Sequence, residues 1–158
     1  MIYTKDICFS TKGFSDIVDI TPLVTEAVEE SGIADGIITA FVIGSTAGIT
    51  TVEYEPGLVE DLQRVIEHLV PTEGAYAHNQ TWGDGNGFSH IRSALLGPDC
   101  TIPVRDGKLL LGTWQQIVVI DFDNRPRQRK VALQVVGDKK AGKGIGKGRE
   151  NQRQPKSR

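Results

Sequence analysis

Two of the chain's three histidines, His78 and His90, stand twelve residues apart in AYAHNQTWGDGNGFSH, residues 75–90. Asp84 and Asn86 lie between them, with glycines at 83, 85 and 87. Two imidazoles, a carboxylate and an amide suit two chemistries: ligation of a divalent metal, or the holding of a phosphate by protonated imidazole. The spacing His-x11-His is no established metal pattern. The plain alternative is a surface loop whose histidines bond only to backbone. So much glycine makes the stretch costly to order unless something binds there.

Two further polar spots accompany it. GSTAG (44–48) sets Ser45 and Thr46 between glycines just after an apolar run. Amides and hydroxyls at a strand end form either an ordinary turn or an anion-binding nest. If the segment is extended, Ser45, Ala47, Ile49, Thr51 and Glu53 share one face, and Glu53 becomes a candidate partner for a histidine. GTWQQ (112–116) offers the flat face of Trp114 and the amide of Gln115 to a planar ligand, or else to the core or a subunit contact. Arg92 and Arg105 are the nearby cations, and His68 reads as a surface residue of a helix.

Those side chains need elements to place them. DICFS (6–10) reads as a short strand. TPLVTEAVEESG begins with Thr21 as N-cap and Pro22 in the first turn, and ends at Gly32: a helix. GIITAFVIG (36–44) is a β-branched run, expected as a central strand buried on both faces, and GITTVEYE (48–55) as another strand. Leu58, Leu62, Val65, Ile66 and Leu69 recur at helical spacing before Pro71. HIRSALLG (90–97) reads as one or two short turns. TIPV and KLLLGTW flank Arg105-Asp106-Gly107, a hairpin signal, and QIVVIDFD turns at NRPR into KVALQVV. Early helices and late consecutive strands predict an α+β protein with a mostly antiparallel sheet.

With 158 residues and 39% apolar content the chain suits a single domain, residues 1–138. The net charge of −2 divides unevenly: residues 139–158 carry +7 and the remainder −9. The tail is expected to be disordered, and either idle or a weak, non-specific contact for polyanions. No apolar run is long enough to span a bilayer, so no membrane partner is expected. The N-terminal residues lack the pattern of a signal peptide. Cys8 and Cys100 fit no metal or redox spacing and read as reduced, buried thiols in a cytoplasmic protein.

Taken in order, STAGITTVE (45–53), YAHN (76–79), DGNGFSHIRSALLG (84–97), IPVRDGKLLLGTWQQI (102–117) and RQRKVALQVVG (127–137) resemble the YjbQ-like, or secondary thiamine-phosphate synthase, family. The resemblance implies a β-sandwich-like α+β core with two main helices, assembled as a homotrimer. It also implies a weak thiamine-phosphate synthase activity, joining a pyrimidine pyrophosphate to a thiazole phosphate with release of pyrophosphate. On this reading His78, His90, Glu53 and Asp84 carry the chemistry. Ser45, Thr46, Asn86, Arg92, Trp114 and Gln115 contact a small phosphorylated substrate. His78 and His90 are the ligands of any divalent metal, zinc or magnesium. Family members usually begin the first motif His-Thr-Thr-Ala, where this chain has Gly44-Ser45-Thr46-Ala47. That leaves Glu53, Asp84 or water to complete a metal's coordination, or else a non-catalytic protein that binds a metal or small anion.

Overall fold

Strands with apolar residues on alternate positions bury one face, and two such sheets bury each other. A computed structural model, describing residues 1–139, shows this arrangement. The elements run β1 (Ile2–Thr11), β2 (Asp16–Asp19), α1 (Thr21–Ser31), β3 (Ile33–Val42), β4 (Ala47–Val52), α2 (Pro56–Leu69), α3 (Ala77–Trp82), α4 (Gly87–Leu96), β5 (Asp99–Arg105), β6 (Lys108–Leu109), β7 (Gln116–Asp121) and β8 (Arg127–Lys139). The large sheet is ordered β1-β8-β3-β5-β6 and the small sheet β2-β7-β4, with every pairing antiparallel.

Ile7, Ile38, Val42, Ile102, Val131, Leu133 and Val135 of the large sheet meet Ala47, Ile49, Ile117 and Val119 of the small one. Val24, Ala27 and Val28 of α1 join the same core. The small sheet is buried on its other face too. There Ile17, Val118, Ile120 and Phe122 pack against Leu62 and Ile66 of α2 and Leu96 of α4. This explains the unbroken apolar run 117–120: β7 is covered on both sides.

Several expectations are corrected. β3 is central in its sheet but is buried on one face only: Ile37 and Phe41 point outward, each 44% exposed. Thr21 is the first helical residue rather than the N-cap; its Oγ1 accepts from Ile117 N at 2.8 Å instead. The strand expected over 48–55 stops at Val52, and Glu55 turns back to cap α2 by accepting from Gly57 N and Leu58 N. Residues 105–108 form the hairpin, with Asp106 and Gly107 both at positive φ, but β6 is only two residues long. The turn at 122–126 makes no hairpin, because β7 and β8 belong to different sheets. Cys8 is exposed rather than buried. Lys139, placed at the start of the tail, ends β8 opposite Ile33; the rest of the expected basic tail lies outside the described residues. Among the described residues no helix is long and apolar enough to cross a membrane.

Candidate functional site

The glycine-rich stretch is not the loop its composition suggests. It folds into α3 and α4, which carry His78 and His90, joined by residues 83–86. Their close approach depends on Gly87. A Cβ there would stand 2.6 Å from Tyr76 Cβ, and Gly87 N donates to Asn79 Oδ1 at 2.9 Å. Ser89 Oγ donates to Phe122 O at 2.6 Å and Ser93 Oγ to Ala47 O at 2.7 Å, so α4 is pinned to the small sheet. With both helices fixed, the rings of His78 and His90 touch, their centroids 4.5 Å apart at 52°.

Asp84 and Asn86 complete the cluster. Asp84 Oδ1 lies 3.5 Å from His78 Nε2. With its amide nitrogen turned towards them, the orientation that satisfies both neighbours, Asn86 donates to Asp84 Oδ1 at 3.0 Å and to His78 Nε2 at 3.2 Å. Asn124 Nδ2 holds the Asp84 carbonyl at 2.8 Å. Asp84, Asn86, Asn124, Arg125 and Arg127 line an open cleft of about 430 Å³. Arg125 is exposed, and Arg127 Nε donates to Asp123 Oδ2 at 2.7 Å.

Beneath the cleft lies an ion network that the sequence reasoning missed. Arg129 donates from Nε and Nη2 to the two oxygens of Asp121, both at 2.6 Å, and from Nη2 to Thr46 Oγ1 at 2.7 Å. Thr11 Oγ1 also donates to Asp121. Thr46 Oγ1 donates to Asp123 Oδ2 at 3.0 Å, and Asn124 N to Asp123 Oδ1 at 2.8 Å. Asp121 and Asp123 are wholly buried. Burial alone would raise the Asp123 pKa. The bonds from Arg127 and Thr46 and the Arg127 charge outweigh it and hold the carboxyl below the usual carboxylate range. A signal was present: Arg127 and Arg129 share the parity of the inward-facing Val131, Leu133 and Val135, and Asp121 that of Ile117 and Val119.

Of the residues picked from sequence, His78, His90, Asp84 and Asn86 come together. Thr46 lies in the adjoining ion network, with exposed Ser45 before it. Arg92 is 4% exposed, and its donors go to Val70 O, Ser15 Oγ, Glu67 Oε2 and Thr72 Oγ1. It fastens α4 to α2 rather than facing the histidines. Glu53 is exposed in the segment after β4 and pairs with neither histidine. Trp114 is 70% exposed, while Gln115 accepts from Gly112 N at 3.1 Å and donates to Thr51 Oγ1 at 3.0 Å. Both belong to the connection between β6 and β7, outside the cleft's lining. Among the described residues no three His, Cys, Asp or Glu side chains are arranged to hold a metal ion. Asn86 donates to His78 Nε2, so that lone pair is taken and not offered to a cation, and a zinc or magnesium centre does not fit the set.

The family described as UPF0047 protein YjbQ-like matches residues 5–138. A UPF0047 protein of Methanothermobacter thermautotrophicus is 38% identical over 136 residues, 86% of this chain and 93% of that protein. One from Methanocaldococcus jannaschii is 41% identical over 125 residues, covering 78% and 87%. Among solved structures, a YbjQ-like protein of unknown function from Sulfolobus solfataricus superimposes with a TM-score of 0.83 at 37% identity, covering 87% of this chain and 99% of that one. A hypothetical protein from Aeropyrum pernix gives 0.81 at 32% identity, covering 86% and 99%.

Proposed function

Starting from the chain's membership of the YjbQ-like UPF0047 family, we propose that it binds a small phosphorylated ligand in the cleft lined by Asp84, Asn86, Asn124, Arg125 and Arg127, next to the histidine pair. The chemistry is of the thiamine-phosphate synthase type: a pyrimidine pyrophosphate and a thiazole phosphate are joined and pyrophosphate leaves. The observation that carries this reading is an open cleft that sets Asp84 and Asn86 with Arg125 and Arg127, the touching rings of His78 and His90 being tied to it by the bond from Asn86 to His78 Nε2. Exposed Arg125 neutralises phosphate oxygens, while Arg127 is held by Asp123 on the cleft wall. Asn86 fixes the His78 ring, and His90, whose ring touches it, makes no side-chain hydrogen bond among the described residues, so its nitrogens remain for a ligand. This division of labour needs no metal.

The test is titration of the full chain with the two phosphorylated substrates, together with a pyrophosphate-release assay on wild type and on the His78→Ala/His90→Ala double variant. Binding and turnover should both fall in the variant, turnover by roughly 10²-fold, the usual size of a general acid–base contribution. Unchanged turnover in the double variant would sink the synthase reading. A second reading, a non-catalytic small-anion binder, is favoured by one observation: the second carboxylate expected at the site, Glu53, stands elsewhere. Tight binding without pyrophosphate release would select it.

The chain acts on this reading as a homotrimer. The support is a row across the outer face of the large sheet, where Ile2 pairs with Val136, Val136 with Ile37 and Ile37 with Pro103. Exposed apolar residues of four neighbouring strands suit cover by another copy. Light scattering should report three chains, and Ile37→Lys with Phe41→Lys should release monomers.

A further inference from the structure

We infer that Arg129 and the Gly44–Thr46 turn form an oxyanion subsite beside the histidine cleft, taking a phosphate group on Arg129 Nη1. Arg129 is 6% exposed, and its Nε and Nη2 are bound by Asp121 and Thr46. Nη1 has no hydrogen-bond partner among the described residues. A buried guanidinium with one nitrogen unused is uncommon, because an unpaired donor away from water is costly. Among the described residues no side-chain nitrogen or oxygen is both fully buried and without a partner, so Nη1 keeps contact with solvent.

The opening lies at Gly44. A Cβ there would stand 3.2 Å from Arg129 Nη1, and the residue sits at φ +144°, where side chains are rarely carried. Glycine thus leaves the approach to Nη1 clear. The N–H groups of Gly44, Ser45 and Thr46, and the Ser45 hydroxyl, make no hydrogen bond within the described chain. Donors on the turn and a guanidinium nitrogen at its edge suit a tetrahedral oxyanion with several acceptors. The bidentate grip of Asp121 fixes the guanidinium plane, so ordering Nη1 costs the ligand little.

Charge and position favour a phosphate-bearing ligand that spans both places. Asp121 and Asp123 balance Arg127 and Arg129, which leaves exposed Arg125 as the surplus cation near an arriving anion. Asp123 Oδ2 accepts from Thr46 on the turn and from Arg127 on the cleft wall, so the two places adjoin through one atom. The choice of phosphate rests on the proposed function, but the subsite stands on its own geometry.

The test is nuclear magnetic resonance of the full chain labelled at arginine nitrogens, titrated with inorganic phosphate and with pyrophosphate against a chloride control of equal ionic strength. The Arg129 Nη1 signal should shift saturably with phosphate and not with chloride, and Gly44→Ala should weaken that binding at least tenfold. No Arg129 shift at saturating phosphate overturns the subsite, whether or not Gly44→Ala folds. An equal response to chloride means an adventitious ion only and also overturns it. Arg127→Ala and His78→Ala keep the two proposals distinguishable. If either abolishes substrate binding while the Arg129 response to phosphate survives, both stand. If the Arg129 response survives and substrate binding is indifferent to both changes, only the cleft reading fails.

Discussion

Two polar clusters adjoin in this molecule and are built on opposite terms. In the ion network, Asp121, Asp123 and Arg129 are buried, and every carboxylate oxygen there has a donor at hydrogen-bond distance. In the histidine cluster, His78 and Asp84 have side chains 32% and 46% exposed, the His78–Asp84 contact is 3.5 Å, and His90 has no side-chain hydrogen bond among the described residues. The first closes its bonds within the chain and so serves the fold. The second leaves bonds to be made, so a ligand gains free energy by completing them. Arg129 Nη1 is where the closed cluster opens.

The contrast is most sharply tested by removing one carboxylate from each cluster. Asp121→Ala strands Arg129 as a buried, uncompensated charge and should cost about 3–5 kcal/mol in urea unfolding. Asp84→Ala should stay within ~0.5 kcal/mol, as for a surface change, while weakening ligand binding. Equal losses from the two would erase the distinction. Next in size is Gly87→Ala, whose Cβ would meet Tyr76. Overpacking of about 1–3 kcal/mol is expected in thermal melts, with the histidine rings forced apart and ligand affinity reduced.

The pH dependence sharpens the same comparison with a smaller effect. Asp123 has its pKa lowered in the folded state, so as pH falls the unfolded chain takes up the proton first. Its contribution is therefore fully present above the unfolded carboxylate range near ~4 and is lost progressively below it. Acid titration of unfolding free energy should show this slope, and Asp123→Asn should reduce it; an unchanged slope would remove Asp123 from the account. The smallest effect concerns the two thiols. Burial pushes Cys100 up to about 11, while Cys8 is exposed. Alkylation near neutral pH should modify Cys8 well before Cys100, and mass spectrometry of the peptides decides it.

Much of this architecture is written locally. The period of Leu62, Val65, Ile66 and Leu69 specifies α2, Gly32 ends α1, and Asp106-Gly107 makes its hairpin, because helix periodicity and positive φ are properties of short segments. The types of His78, Asp84, Asn86 and His90 likewise announce a polar site before any fold is known. The sequence alone did not reveal that 75–90 is a pair of helices, since its glycines satisfy a loop equally well, and Gly87 is explained only by Tyr76 lying against it.

Tertiary structure alone decided the rest. Which sheet a strand joins depends on partners far away in sequence: β7 and β8 are neighbours in the chain yet lie in different sheets, and that crossing carries Asp121 onto Arg129. The same long-range choice turned Arg92 from a candidate ligand contact into a fastening between helices, and left Glu53 outside the cluster. Residue type and spacing set which groups can bond, because those are properties of one stretch of chain. Which bonds close inside the protein and which stay open to a ligand is fixed only when distant strands are brought within hydrogen-bond distance.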